Sequence, residues 1–455
     1  MNILFVSSEC TPFMKTGGLA DVIGTLPKTL SSKVSCSVVI PYYKKIKDFN
    51  DCLYVGYTYF SFGDRLVYCG LFKKQIDNVT YFFIDNNDYF YHDKIYGLND
   101  GERFAFFNIA LLETLHLMGE FDVLHLNDWH TGLIPFLNEK KYKHNFKSIF
   151  TIHNIQYQGI FDKELSNLFY FYDNTIEFDN KINFMKSGIV CSNVVTTVSK
   201  TYRDETLTCE YSYYLENILK DKIDNYIGVI NGIDTSLFNP LTDKNIYKQY
   251  DINSIWNKKY NKEKFCGDYH LNNNMLCGLV SRLCEQKGIE LIIDSLDELI
   301  NNTNMNFFLM GSGDTYYENK LKEYSCKYPN RVKSYIGYND SLAMKVYSSC
   351  DVLLVPSKFE PCGLSQLIAM RYGTLPLVRE TGGLKDTVHP YNKFDKSGVG
   401  FSFKNFNIND FKEVMYIAHQ TFYTSDWDTL IKNAMKQDFS FEYSSNEYLN
   451  LYKRG

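Results

Sequence analysis

Apolar residues in this chain fall into short, nearly continuous runs, separated by stretches where they recur every three or four positions. The runs at 3–6, 34–40, 79–84, 123–126, 148–152, 194–198 and 227–230 have the length and bulk of buried parallel strands. Between them, 18–30 and 104–118 have helical spacing, the second through Phe107, Leu111, Leu112 and Leu115. Strands alternating with helices predict βαβ units around a parallel sheet. Residues 42–80 are rich in Tyr, Phe, Asp and Lys, alternate weakly, and predict a hairpin or loop laid over that sheet.

The last run of this series ends at Asn231-Gly232, and Asn239-Pro240 follows, so a first domain is expected over 1–240. Residues 241–272 are polar and basic, with Trp256 as their one large anchor. A second series then begins, with strands at 276–283, 306–310, 332–336, 352–355 and 375–378. Helices are expected at 288–300, 315–327, 341–349, 364–372, 384–388, 410–422 and 426–437, closing a second domain over 241–437. The segment 438–455 reads as a further helix, at 443–452, that crosses back to the first domain. The fold class is α/β: two doubly wound sheets with a cleft between their carboxyl edges, where open α/β sheets bind ligands.

Composition narrows the partners. With 455 residues the chain is long for one core, in keeping with two domains of about 200 residues each. A formal net charge of −5 argues against nucleic acid or an anionic membrane as the main partner. The twelve cysteines form no C-x-x-C pair, which fits reduced thiols in a cytoplasmic protein rather than a zinc ribbon. The first apolar run is too short for a signal peptide or a membrane span. Nothing in the sequence specifies an oligomeric state.

The candidate chemistry lies where strands end. After the first strand, Lys15-Thr16-Gly17-Gly18 opens a helix, so free amides, the positive helix end and the Lys15 ammonium would meet an anion such as a phosphate. The alternative is that the two glycines merely let helix and strand pack closely. A near copy, Thr381-Gly382-Gly383-Leu384, lies in the last third of the chain and suggests two similar half-molecules facing one site. In the second domain Arg282 and Lys287 stand between a strand end and a helix start, placed to converge on one diphosphate or else to be solvated surface cations. Glu360 lies on the loop after the 352–355 strand, as an acceptor for sugar hydroxyls or a surface acid. The amides of Cys362, Gly363 and Leu364 beside it are offered to a second anion contact. In the first domain His125, Asp128 and His130 could hold a metal, but a polar and aromatic sugar-binding wall that also takes in Trp129 fits their spacing better. His153 reads as either part of that wall or a core histidine. The only Asp-x-Asp pair, at Asp426 and Asp428, follows Ser425 and fits helix capping rather than metal ligation.

Six segments, 15–21, 125–132, 151–159, 281–288, 356–366 and 379–388, resemble, in order and across essentially the whole chain, the signatures of the bacterial glycogen synthase and plant starch synthase family. The resemblance implies GT-B architecture, two Rossmann-like domains facing a deep interdomain cleft that closes on the substrate. It also implies retaining transfer of glucose from ADP-glucose to an α-1,4-glucan, with neither metal nor pyridoxal phosphate as cofactor. By the same resemblance Lys15, Gly17 and Gly18 approach the ADP phosphates and the transferred glucose, while Arg282 and Lys287 hold the diphosphate. His153 and Glu360 hydrogen-bond the glucosyl hydroxyls with Asn231 close by, and Tyr338 stacks on adenine. Asp21 lies at the cleft, Trp129 and His130 belong to the acceptor side, and Thr381, Gly382 and Gly383 line the substrate. The chain departs from the family at Ile368-Ala369, where a tyrosine precedes the small residue. It begins at its first strand without the long extension of plant enzymes, which favours the bacterial type. The rivals are a UDP-glucose-dependent GT-B enzyme, a pyridoxal-phosphate phosphorylase, and a catalytically silent glucan-binding protein.

Overall fold

The buried aliphatic runs become the strands of two large sheets in two separate units. The computed structural model describes residues 1–49, 51–97 and 99–454; Asn50 of the expected covering segment and Gly455 of the terminal one lie outside the described residues. One unit comprises Met1–Gly232 with Phe441–Gly455, the other Ile233–Ser440. The first unit therefore stops several residues before the boundary expected at 240, and it takes up the helix Phe441–Lys453.

In the first unit the strands are β1 (Asn2–Val6), β2 (Ser35–Pro41), β3 (Leu53–Phe62), β4 (Arg65–Ile76), β5 (Val79–Asp85), β6 (Val123–Asn127), β7 (Lys147–Ile152), β8 (Ile160–Asp162), β9 (Glu177–Phe178), β10 (Lys181–Asn183), β11 (Val194–Thr197) and β12 (Tyr226–Gly228). Nine form one sheet in the order β12-β11-β7-β6-β1-β2-β5-β4-β3, while β8, β10 and β9 form a small antiparallel sheet. Seven strands, from β5 to β12, pair in parallel, and the direction of winding reverses between β1 and β6. Ile3, Leu4, Phe5 and Val6 are fully buried, as their unbroken apolar run requires.

One expectation is corrected here. Residues 42–80 do not lie over the sheet: β3 and β4 pair antiparallel with each other, and β4 with β5, so they extend the sheet to its edge. Their weak alternation has a physical cause, because both faces of the hairpin are aromatic. Phe60 and Phe62 are buried, whereas Tyr57 and Tyr59 face solvent.

The second unit holds β13 (Leu276–Val280), β14 (Asn306–Gly311), β15 (Val332–Ile336), β16 (Val352–Val355), β17 (Leu375–Arg379) and β18 (Phe401–Phe403), all parallel, in the order β15-β14-β13-β16-β17-β18. The winding reverses between β13 and β16, the doubly wound order of dinucleotide-binding sheets. Trp256 is not an anchor. It is 63% exposed at the start of the helix Trp256–Asp268, which is held instead by buried Phe265 and Cys266. Buried Lys258 adds to this, donating to the Thr374 hydroxyl at 2.6 Å and to the Ser348 carbonyl at 3.1 Å.

Candidate active site

Both reversals of winding carry the chemistry, since the loops leaving adjacent strands diverge there and open a crevice. In the second unit the loop after β13 supplies Arg282 and Lys287, and the loop after β16 supplies Glu360. The two loops are tied together: the Lys358 amide donates to Gln286 O at 2.9 Å, and Gln286 Nε2 donates to Phe359 O at 3.3 Å. Gly288 makes the approach possible, for a Cβ there would stand 2.1 Å from Pro356 O. Lys287 Nζ consequently lies 2.5 Å from Glu360 Oε2, which also accepts from Ser357 Oγ at 2.9 Å. The two side chains of the pair are only 18% and 8% exposed. Arg282 Nη2 reaches Gln286 Oε1 at 3.4 Å, which aims the guanidinium along the same loop. Tyr338, just after β15, is 62% exposed, which leaves much of its ring accessible to a planar partner.

The second glycine turn does not repeat the first. It follows β17, the fifth strand of its sheet, whereas the first follows β1, so the two are not equivalent positions of two half-molecules. The Gly383 amide donates to Glu360 O at 3.1 Å. A Cβ on Gly382, whose φ is +44°, would lie 1.9 Å from the same oxygen. Buried Thr381 leads into this contact. The turn is a backbone clamp on the Glu360 loop. The Cys362, Gly363 and Leu364 amides precede a helix of only seven residues, Ser365–Arg371, too short for a strong dipole. Gln366 Nε2 holds the Cys362 and Gly363 carbonyls at 3.1 and 2.9 Å, so this segment too is organised from within. Ile368 and Ala369, where the sequence departs from the family pattern, are buried in that short helix.

In the first unit, the turn at Lys15–Gly18 already has an anion. Glu9, buried three residues past β1, accepts from the Thr16 amide and, at 2.9 Å, from the Thr16 hydroxyl. Burial raises the Glu9 carboxyl above the usual carboxylate range, against the opposing pull of hydrogen bonds from Thr16 and Gly17. Lys15 Nζ pairs with Asp21 at 2.8 Å. The Thr16 amide, at the start of the turn expected to meet a phosphate, is thus taken by Glu9. Gly17, with extended φ of −155°, has nothing closer than Glu9 Oε1 at 3.9 Å to an added Cβ, so close packing does not require it either.

Across the reversal, β6 and β7 deliver Asn127, Asp128 and His153. Asn127 Nδ2 donates to the carbonyls of Val6 and His125, both at 3.1 Å, which leaves its Oδ1 to accept from His153 Nε2 at 2.9 Å. Burial lowers the His153 pKa to about 3, so the ring is neutral and Nδ1 carries a free lone pair, an acceptor for a hydroxyl. Asp128 holds the loop behind it, its Oδ1 accepting the His153 amide at 2.7 Å, and this contact sustains a strained φ of +57°. Asn231, after β12, is 5% exposed with a buried Oδ1 that has no hydrogen-bond partner among the described residues.

Three neighbours are corrected. His125 is a core residue, with Nδ1 against Tyr452 OH at 2.7 Å and Nε2 against Thr151 Oγ1 at 2.6 Å. Trp129 and His130 do not form an exposed wall. Their rings are 8% and 5% exposed and pack on each other at 4.1 Å and on Phe104, so they support the site from beneath. Among the described residues no group of three His, Cys, Asp or Glu could hold a metal ion. Sequence reasoning missed Glu9, Asn127, Ser357 and Gln286. Glu9 was signalled by a carboxylate just beyond a buried strand, the others by nothing local.

Asp128 gives a pH prediction. Burial raises its pKa to about 7, with the Glu9 charge adding to the rise and the His153 and Asn154 amides opposing it. A carboxyl raised above its unfolded value contributes stability that is complete below about pH 4 and is lost as pH climbs towards 7. Asp128→Asn keeps the Oδ1 acceptor and removes that loss. Relative to the parent it should gain a few kcal/mol between pH 4 and pH 8, since each tenfold change in proton affinity on folding is worth about 1.4 kcal/mol. Urea titrations at both pH values measure this, and an equal difference at the two would refute it.

Comparison with known proteins follows the same division. Residues 2–221 match the starch synthase catalytic domain family, and residues 270–418 match glycosyl transferases group 1. The glycogen synthase of Bacillus cereus strain B4264 is 42% identical over 475 aligned positions, covering 100% of this chain and 99% of that one. The chain belongs to the glycogen synthase family. Another family member, the glycogen synthase of Acholeplasma laidlawii strain PG-8A, is also 42% identical, with 100% and 98% covered. The catalytic domain of starch synthase IV from Arabidopsis thaliana, solved bound to ADP and acarbose, has a TM-score of 0.90 at 27% identity, with 100% of this chain and 99% of that one covered. The architecture is GT-B, and the activity is glycosyl transfer in glycogen synthesis. No helix among the described residues is long and apolar enough to cross a membrane.

Proposed function

We propose that this glycogen synthase transfers glucose from ADP-glucose to the non-reducing 4-hydroxyl of an α-1,4-glucan, with retention at the anomeric carbon. The observation that carries the reading is the Lys287–Glu360 pair at the reversal between β13 and β16, with Arg282 on the same loop. Arg282 and Lys287 stabilise the diphosphate as it leaves, and Glu360, released by Lys287 when the phosphates arrive, accepts hydroxyls of the glucosyl ring. Tyr338 stacks on adenine. His153 Nδ1 and Asn231 Oδ1 take further hydroxyls, and Lys15 exchanges Asp21 for the donor. Two cations opposite a leaving diphosphate take the place a metal would have, so neither metal nor pyridoxal phosphate takes part. Retention proceeds by attack from the leaving group's own face, a diphosphate oxygen accepting the proton of the acceptor hydroxyl as the new glycosidic bond forms. We place the enzyme in the cytoplasm, in keeping with twelve cysteines that form no disulfide among the described residues.

Parallel assays on glycogen with ADP-glucose and UDP-glucose test the donor. The expected result is faster transfer from ADP-glucose, insensitive to EDTA, giving a product that amylase digests. Preference for UDP-glucose, or an amylase-resistant product, would overturn it.

A further inference from the structure

Asn127 is the last residue of β6, fully enclosed, and its amide faces three groups at once. On one side stand the carbonyl oxygens of Val6 and His125, each 3.1 Å away, and on the other stands His153 Nε2 at 2.9 Å. One arrangement of the amide satisfies all three. Its oxygen turned towards the two carbonyls would set lone pairs against lone pairs, so the NH2 group lies there with both hydrogens spent. The oxygen is left as a pure acceptor for His153, and Nε2 must carry the proton.

In a neutral imidazole one nitrogen is protonated and the other bare, and the bond made by one decides the state of the other. Burial keeps the His153 ring neutral, and it does the same for the neighbouring rings of His125 and His130. The two acids nearby do not engage the ring. Asp128 Oδ1 accepts the His153 amide, and Glu9 is taken up by Thr16. His153 Nδ1 is therefore bare. The ring is half-buried where His125 and His130 are sealed in, so of the three it is the one a ligand can meet.

Taking His153 as a contact of the glucosyl ring, as in the proposed function, we propose that Asn127 is a positioning residue that fixes His153 as an acceptor. Through it the site demands a hydroxyl at the sugar carbon facing Nδ1. A hydroxyl brings a proton and donates it to the bare nitrogen. A fluorine or a carboxylate on the same carbon brings only lone pairs, and the nitrogen repels it. A ring with its proton on Nδ1 would take all three. The discrimination is thus made by one uncharged side chain acting on another, with no cation to attract the wrong hexose.

Two readouts test it. In protein labelled with 15N at histidine, the His153 signals are identified by their loss in His153→Gln. The parent should show Nε2 protonated and Nδ1 bare between about pH 6 and pH 8. A proton on Nδ1, or a charged ring in that range, overturns the proposal without any variant of Asn127. Asn127→Leu, of nearly the same size, removes the acceptor and should let the proton move to Nδ1. For the second readout, kcat/KM on glycogen is compared for ADP-glucose and for analogues with fluorine replacing the hydroxyl at carbon 3, 4 or 6. For one of these the parent should be slowed at least ~10-fold, and Asn127→Leu should shrink that ratio to about threefold or less. Damage to packing alone lowers kcat/KM for every donor alike, and an unchanged ratio overturns the proposal. Discrimination with the wrong tautomer removes Asn127 from this role and leaves the proposed function standing. The expected tautomer with no discrimination instead defeats the His153 contact of the proposed function itself, and the selection falls with it.

Discussion

Lys287→Ala lowers kcat at saturating donor at least ~100-fold, the scale for removing one charge that acts on a leaving group in the transition state. The ammonium lies 2.5 Å from Glu360 Oε2 in a place where both side chains are largely out of water. There each charge is worth more than at the surface. Removing it has a second effect, since Glu360 is left with Ser357 as its remaining side-chain partner among the described residues, and stranding a buried charge costs about 3–5 kcal/mol. A loss of turnover could therefore arise from a disturbed loop alone. Lys287→Ala/Glu360→Gln separates the two, for it removes the stranded charge. Stability should return in the double variant, as read by urea titration, while turnover should not. Recovery of kcat to near the parent value would show that Lys287 acts only by holding Glu360, and the diphosphate role would fall.

Gly382→Ala is the second large effect, and it is best read against Gly17→Ala. The two glycines occupy the same letters of a shared T-G-G-L pattern. At Gly382 a methyl group would meet Glu360 O at 1.9 Å from a backbone with φ of +44°. Relief requires the Glu360 loop to move, at roughly 1–3 kcal/mol for overpacking and about 1–2 kcal/mol for the left-handed residue. Because that loop carries Glu360, kcat should fall at least ~10-fold along with stability, a displacement of about 1 Å being enough for such losses. Gly17→Ala meets nothing nearer than 3.9 Å and should melt with the parent. Thermal unfolding of both variants checks the contrast, and equal destabilisation would contradict it.

That pair also shows where sequence reading stops. A glycine needed for close approach is defined by what approaches it, and the oxygen facing Gly382 belongs to a residue on a different strand's loop. Identical letters therefore concealed one turn that clamps and one that stands open. The parallel strands were legible because Ile3–Leu4–Phe5–Val6 and its counterparts are covered on both faces and so are apolar throughout. The β3–β4 edge was not, since outward Tyr57 and Tyr59 erase the alternation that inward Phe60 and Phe62 would have set. Strand order, which brings Glu360 beside Lys287, is a long-range property with no local trace. At the first turn Lys15 and the glycines point to an anionic ligand, while the residue that organises the turn, Glu9, is itself an acid. With Asp21 and Asp128 it gives this edge three acids beside the Lys15 ammonium.

The helix Phe441–Lys453 places a demand on how the molecule is made. It completes the first unit, through Tyr452 on His125 and Lys33 on Glu442 at 2.8 Å, yet the whole of the second unit is translated before it. Domains otherwise tend to fold from the amino terminus as they emerge from the ribosome. Here the later-born unit is the first that can finish, and the earlier one must wait with an open groove under His125 until the helix clears the exit tunnel. A fragment ending near 440 would keep every residue assigned to catalysis and still present that groove, as a surface for chaperones or for aggregation.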